Sequence, residues 1–139
     1  MTGPDLQMAQ KVLDSQPFSA LVGARITAFG EGAATLEIDS REELRQQNGF
    51  LHGGVLAYAA DNALTFAAGT TLGPAVLTGG FSIQYLRPAT GASLVARAEV
   101  VHTGRRQAVA RCDLSVVGQD GTETLCAVAQ GTVLSATPS

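Results

Sequence analysis

The chain has 139 residues, which predicts a single domain over residues 1–139. Hydrophobic residues make up 45% of it and charged residues 15%, a composition typical of a globular protein. The net charge is −3, and no basic run is longer than Arg105-Arg106, which argues against a nucleic-acid partner.

The sequence also argues against export and membrane insertion. Residues 1–16 lack the basic-then-apolar order of a signal peptide. Asp61 and Asn62 interrupt the long apolar run in the middle of the chain, so that run is a poor transmembrane helix. We therefore expect a cytoplasmic protein with no membrane association. Two cysteines are too few for a disulfide framework, and the two histidines, His52 and His102, are isolated, so we expect no metal site. We also expect no cofactor.

The first third of the chain predicts helix and then strands. Residues 4–15 predict a short helix that ends before Pro17, within an N-terminal extension over residues 1–20. Residues 24–39 then predict two short strands with a turn at Gly30-Glu31-Gly32. The polar residues that follow predict a loop or a single helical turn.

A long central helix is the next predicted element. Gly53 and Gly54 precede an Ala-rich apolar run over residues 55–68, which is too long for a strand and predicts a helix ending near Gly69. Because this helix is apolar nearly all round, we expect it to be buried on all sides.

The rest of the chain predicts β-structure. The predicted strands cover residues 76–87, 92–103, 107–117 and 122–134, with a hairpin turn at 118–121. Two strands, one helix and four strands predict an α+β domain in which an antiparallel sheet wraps around or covers the helix. A single layer of sheet leaves edges uncovered, so we expect an oligomer.

The central segment also carries the residues suited to chemistry. Gly53 opens the helix, where unpaired backbone N–H groups can polarise a carbonyl oxygen. Asp61 is the only charged residue between Arg45 and Arg87, and Thr65 lies one turn after it on the same face. Just before the helix, polar groups are supplied by Gln46, Gln47, Asn48 and His52.

Spacing then predicts a site shared between two chains. Gly53 and Asp61 lie about 12 Å apart along one helix, at 1.5 Å per residue. They cannot both act on one small carbonyl group, so Asp61 must face the Gly53 end of another copy. An antiparallel pair of central helices would produce two equivalent sites.

Two motifs carry a family resemblance. The pattern QxxGxLHGG over residues 46–54, with Asp61 seven residues later, and the segment LTGGFSIQYLRPA resemble hotdog-fold acyl-CoA thioesterases of the PaaI group. That group is related to the 4-hydroxybenzoyl-CoA thioesterases. The similarity covers roughly residues 20–134. It implies the hotdog fold, in which a sheet wraps around one long helix and two chains form each site.

The resemblance implies roles for individual residues. Asp61 matches the catalytic carboxylate, acting as nucleophile or as general base on water. Gly53 matches the residue whose N–H binds the thioester carbonyl, and Gln46 matches a position that orients water or substrate. His52 and Thr65 match assisting positions. The resemblance also includes a further Ser or Thr from the partner strand, for which Thr78 and Ser82 are the candidates.

The resemblance further implies an acyl-CoA substrate, with an aryl, phenylacetyl-type or medium-chain acyl group, and a homodimer or homotetramer. The CoA phosphates need cationic contacts, for which Arg87, Arg105 and Arg106 are the candidates. Asn48 and Gly54 are further candidates for substrate binding.

Other interpretations remain open. A non-catalytic acyl-CoA-binding protein and a hydratase or dehydratase are alternative functions on the same fold. Asp61 could be a structural acid satisfied by hydrogen bonds, and Thr65 could bond only to the preceding helical turn. His52 could simply hold its loop, and Arg105-Arg106 could be a solvated turn.

Overall fold

A computed structural model describes residues 4–136 of the chain. The described part contains three α-helices, one turn of 3-10 helix over Glu42–Leu44 and six strands. The helices are α1 (Pro4–Asp14), α2 (Pro17–Val22) and α3 (Gly53–Leu72). The strands are β1 (Arg25–Gly30), β2 (Ala33–Asp39), β3 (Val76–Tyr85), β4 (Ser93–Thr103), β5 (Gln107–Val117) and β6 (Glu123–Ser135).

The six strands form one antiparallel sheet in the order β1-β2-β4-β5-β6-β3. Helix α3 contacts all six strands, so the sheet wraps around it as predicted. The residues of α3 that face the sheet are small or apolar, which lets the helix approach closely; those that are buried are Leu56, Ala59, Ala60, Ala63, Leu64, Phe66, Ala67 and Ala68. The sheet order leaves β1 and β3 as its two edges.

One face of strand β5 forms part of the core. Ala108, Ala110, Cys112, Leu114 and Val116 are all buried against the helix side of the sheet. Burial raises the pKa of the Cys112 thiol to about 12, so this cysteine is protonated and inert near neutral pH. Both cysteines, Cys112 and Cys126, are free and buried.

Three local predictions differ from the structure. Helix α3 continues three residues past Gly69 and ends at Leu72, where the Gly73 N–H bonds to the Gly69 carbonyl. The short helix α2 was not predicted. One stripe of α3, including Ala57, Asp61 and Thr65, is only half-buried in the single chain, so the prediction that the helix is buried on all sides was wrong.

Candidate active site

The loop before α3 is held by a short backbone ladder. Arg45 and Leu51 form an isolated antiparallel bridge, and the His52 N–H donates to the Leu44 carbonyl at 2.9 Å. Gly49 makes the turn at the tip with φ 88°, a left-handed conformation that favours glycine. This ladder fixes the direction in which the chain enters the helix.

Gln46 and Asn48 sit in this loop but differ in exposure. The half-buried Gln46 accepts a hydrogen bond from the Asn48 N–H through its side-chain oxygen, which leaves its amide N–H groups available. Its backbone N–H donates to the Phe50 carbonyl at 2.8 Å. Asn48 is exposed near the loop tip. Gln46 is therefore the better placed of the two to orient a bound molecule.

The first turn of α3 leaves one backbone donor free. His52 is the N-cap, and its Nδ1 accepts from the Gly54 N–H at 2.8 Å. The Val55 N–H donates to the His52 carbonyl at 2.9 Å. Among the residues that the structure describes, the Gly53 N–H has no acceptor. Gly53 is thus the donor that remains for a ligand, as an oxyanion-binding role requires.

Tyr85 fixes the same helix end from strand β3. Its hydroxyl donates to the Gly53 carbonyl at 2.8 Å, and a Cβ added at Gly53 would lie 3.4 Å from the tyrosine ring. Tyr85 therefore holds the first peptide of the helix against the sheet. Its position near the end of β3 gave no signal of this contact.

Asp61 lies two turns further along α3, beside two threonines. The Thr78 hydroxyl donates to Asp61 Oδ1 at 2.5 Å, and the Thr65 hydroxyl donates to the Asp61 carbonyl at 2.8 Å. The two threonine hydroxyls are 2.9 Å apart. The other carboxylate oxygen has no hydrogen-bond partner within residues 4–136. One oxygen is thus held in place while the other stays available to react.

The structure distinguishes between the two candidates for the further hydroxyl residue, Thr78 and Ser82. Thr78 contacts Asp61 of its own chain, whereas Ser82 lies on the face of the sheet that points away from α3 (the outer face). A β-bulge between Thr78 and Gly80 causes this difference, because it shifts the alternation of β3 by one residue. Both Thr78 and Tyr85 therefore face the helix.

A polar cluster joins α2 to the same face of α3. The Tyr58 hydroxyl donates to Ser19 Oγ at 2.5 Å, and Ser19 Oγ donates to Gln16 Oε1 at 2.6 Å. Asn62 donates to the Tyr58 hydroxyl at 2.9 Å. Burial raises the pKa of Tyr58, and the charge of Asp61 adds to this rise, so the phenol stays protonated and keeps its donor role.

Residues 48–122, more than half of the chain, match the thioesterase superfamily. The chain belongs to that superfamily. The predicted enzyme class, a thioester hydrolase, is thereby confirmed.

Individual relatives agree with this assignment. A 1,4-dihydroxy-2-naphthoyl-CoA hydrolase from Listeria monocytogenes is 26% identical, over 81% of this chain and 89% of that protein. The acyl-coenzyme A thioesterase PaaI of Escherichia coli K12 is 28% identical, over 81% of this chain and 79% of its own. A crystal structure of a thioesterase family protein from Silicibacter pomeroyi matches with a TM-score of 0.85 and 34% identity, covering 92% of this chain and 95% of that one. The predicted hotdog fold and resemblance to the PaaI group are confirmed.

The three candidate arginines for CoA contact, Arg87, Arg105 and Arg106, lie at two ends of the sheet. The Arg87 N–H approaches the Cys126 carbonyl near the start of β6, and the Arg106 carbonyl accepts from the Ser135 N–H at its end. At about 3.4 Å per residue, these two contacts are roughly 30 Å apart along the strand. Within one chain, Arg87 therefore cannot share a ligand group with Arg105 or Arg106.

Of these three arginines, Arg87 is the one near the Gly53 end of α3, because it follows by two residues Tyr85, whose hydroxyl bonds to the Gly53 carbonyl. The turn that carries Arg105 and Arg106 lies beside the opposite end of the helix, where Thr71 and Thr103 are hydrogen-bonded at 3.0 Å. All three arginines are exposed.

Two further observations concern the described residues. Within 4–136, no group of three or more His, Cys, Asp and Glu residues is arranged to hold a metal ion. No helix of this part is both long enough and apolar enough to cross a membrane.

Proposed function

We propose that this protein is an acyl-CoA thioesterase whose site combines Asp61 of one chain with the Gly53 N–H of a second copy. One observation carries the proposal. The Thr78 hydroxyl holds one oxygen of a solitary carboxylate, and a helix start of the same fold keeps one backbone donor unpaired. A reactive carboxylate and an oxyanion donor are the two groups that acyl transfer needs.

The thioester carbonyl oxygen would accept from the Gly53 N–H, which stabilises the negative charge that develops on that oxygen. Asp61 has two possible roles. As nucleophile, its free oxygen attacks the carbonyl carbon, the C–S bond breaks, and water then hydrolyses the resulting anhydride. As general base, it removes a proton from the water that attacks directly. Both routes release the free acid and CoA, and both use only protein groups and water.

Neighbouring residues support these steps. Thr78 fixes the Asp61 carboxylate, and the Gln46 amide N–H groups, which the bond from Asn48 leaves available, would orient water or substrate. His52 contributes by capping the helix, because its Nδ1 occupies the Gly54 N–H and leaves the Gly53 N–H as the free donor. Arg87, at the Gly53 end of the helix, is the better candidate for a CoA phosphate contact. Arg105 and Arg106 would serve only a more distant part of the ligand.

The shared site requires at least a dimer. Strand β3 is an edge of the sheet, and it carries Thr78, which bonds to Asp61, and Tyr85, which bonds to Gly53. Leu77 on this edge is 66% exposed, so pairing of two β3 strands would cover an apolar edge and bring two sites together.

The test is thioester hydrolysis by the Asp61→Asn variant, followed with a thiol reagent over a panel of acyl-CoA substrates. We expect kcat to fall by about a thousandfold, because the amide can neither attack nor accept a proton. Asp113→Asn, the same change at an exposed acid of β5, is the control and should leave kcat unchanged. Turnover by Asp61→Asn near that of the wild type would overturn the role of Asp61.

The same panel separates the alternative functions. Wild-type protein that binds acyl-CoA without releasing CoA would indicate a binding protein. Hydration of an enoyl-CoA without CoA release would indicate a hydratase.

A further inference from the structure

A cavity of ≈ 460 Å³ lies between α1, α3 and the β1–β2 turn. This volume falls within the roughly 300–1,000 Å³ range of small-molecule pockets. Its walls are largely apolar and include Met8 and Val12 from α1, Phe29 from β1, and Thr65, Phe66 and Gly69 from α3. We refer to it as the α1–α3 cavity.

The α1–α3 cavity adjoins the candidate site at Thr65. Thr65 lines the cavity, and its hydroxyl lies 2.9 Å from Thr78, which in turn bonds to the Asp61 carboxylate. From Thr65, one turn after Asp61, the cavity follows α3 toward its C-terminal end along Phe66 and Gly69. A thioester whose carbonyl carbon reached Asp61 could therefore extend its acyl group along this stretch of the helix.

We propose that the α1–α3 cavity holds an uncharged acyl group and that Gly69 sets the length of acyl chain it accepts; this rests on the proposed thioesterase function. Gly69 lies two helical turns after Asp61, about 12 Å along the axis. A Cβ added at Gly69 would meet no atom within 4 Å, so there is free space beside Gly69 where it lines the cavity. Any larger side chain there would occupy volume at the far end of the cavity.

Helix α1 supplies the opposite wall. Met8 and Val12 remain 65% and 47% exposed although both are apolar, so an acyl chain lying against them would bury surface that the single chain leaves in water. Methionine adapts to ligands of different shape, which suits a wall that accepts acyl groups of several lengths. Helix α1 is thus part of the binding pocket.

Charge at the cavity limits the acyl groups it accepts. Asp5 and Glu31 line it, both exposed, and the described lining includes no Lys or Arg. A terminal carboxylate on the acyl group would be repelled by these two acids and would find no cation there. The cavity therefore favours neutral acyl groups over dicarboxylic ones.

The test compares butyryl-CoA and decanoyl-CoA as substrates of the wild type, Gly69→Ala and Gly69→Leu. We expect Gly69→Leu to lower kcat/KM for decanoyl-CoA by about tenfold or more relative to butyryl-CoA, with a smaller change for Gly69→Ala. Thr71→Leu places the same side chain at an exposed site two residues further along α3 and is the control. Inhibition by decyl-CoA and butyl-CoA thioethers, which are not hydrolysed, should show the same loss of binding for the longer chain.

The outcomes separate the two proposals. If the wild type hydrolyses both substrates and Gly69→Leu leaves their ratio unchanged, the role of Gly69 is wrong and the thioesterase function stands. If the wild type hydrolyses neither substrate nor any other acyl-CoA, the proposed function itself fails, and this inference with it.

A neutral and a dicarboxylic acyl-CoA of the same chain length test the predicted selection against acyl charge. The wild type should have a higher kcat/KM for pentanoyl-CoA than for glutaryl-CoA. The double variant Asp5→Asn and Glu31→Gln should lower the ratio of these two values by roughly fivefold. Equal rates on both substrates in the wild type would show that the cavity does not select against acyl charge.

Discussion

At the scale of single residues, the start of α3 illustrates how neighbours leave one group free. The His52 side chain accepts from the Gly54 N–H and the His52 carbonyl accepts from the Val55 N–H, so among the described residues the Gly53 N–H is the remaining donor of this turn. The Tyr85 hydroxyl bonds to the carbonyl of the same residue. Gly53 could be predicted from the sequence because a glycine pair at a helix start is a local signal. Tyr85 could not, because its contact joins residues that are 32 positions apart.

The free N–H can be removed without breaking the helix. Gly53 is the first helical residue, where proline is well tolerated, and His52 before it has the extended conformation (φ −62°, ψ 137°) that proline requires. We therefore expect Gly53→Pro to fold normally while kcat for acyl-CoA hydrolysis falls by about a hundredfold or more.

Gly53→Ala is the matched control, since it retains the N–H and adds a comparable contact with Tyr85. Circular dichroism would confirm that both variants contain the same helix. If Gly53→Pro turned over as fast as Gly53→Ala, the backbone donor would have no part in the reaction.

Asp61 itself could be predicted from the sequence as a site residue, but its hydrogen-bond partner could not. Its isolation from every other charge between Arg45 and Arg87 was visible in the sequence, and that isolation identified it as the candidate carboxylate. The sequence alone could not distinguish which residue bonds to the Asp61 carboxylate. Thr78 and Ser82 were equivalent candidates until the register of β3 was known.

At the scale of elements, that register depends on one bulge. Strict alternation over β3 would place Thr78 and Tyr85 on opposite faces of the sheet. The bulge between Thr78 and Gly80 shifts the pattern, so that both side chains point to α3, one at Asp61 and the other at Gly53. A bulge adds one residue without changing composition, which is why hydrophobic periodicity did not predict it.

Strand β6 accommodates the bulge with a glycine. Gly131 is paired with Phe81, and a Cβ added at Gly131 would lie 2.5 Å from the Phe81 Cβ and 2.6 Å from the Gly80 carbonyl oxygen. We expect Gly131→Ala to lower the free energy of unfolding by about 3 kcal/mol, because the strands must separate to admit the methyl group. Urea denaturation would measure the loss.

Gly80→Ala is the control for this change, since a Cβ there would meet no atom within 4 Å although Gly80 belongs to the same bulge. We expect it to change the free energy of unfolding by less than about 1 kcal/mol. Equal stability of the Gly131→Ala variant and the wild type would show that the two strands are not this close.

The helices differ in how well the sequence predicted them. Helix α3 was predicted because its apolar run is long, whereas α2 has only six residues. The sequence nevertheless contains two residues typical of the ends of a helix such as α2. Pro17 lies in its first turn, and Gly23, with φ 84°, is its C-cap. The half-buried stripe of α3 was not predictable from its own sequence. Part of that stripe is covered by Ser19 of α2, and part of it, at Asp61, stays open.

At the scale of the whole molecule, one chain carries both halves of the proposed site but keeps them apart. Gly53 and Asp61 belong to one continuous helix, which fixes their separation at about 12 Å. No rearrangement of loops can shorten that distance. A second copy can, because two antiparallel helices would place each Asp61 opposite the Gly53 end of its partner.

Mixing two inactive variants tests this arrangement directly. Asp61→Asn and Gly53→Pro each lack one half of the site, so each alone should be inactive. In a heterodimer of the two, one site combines both substitutions, while the other combines an intact Asp61 with an intact Gly53. After unfolding and refolding an equimolar mixture, about half of the dimers are mixed and each has one active site, so roughly a quarter of wild-type activity should return. Refolding each variant separately is the control. A mixture that forms dimers by light scattering yet stays inactive would mean that Asp61 and Gly53 do not act across two chains.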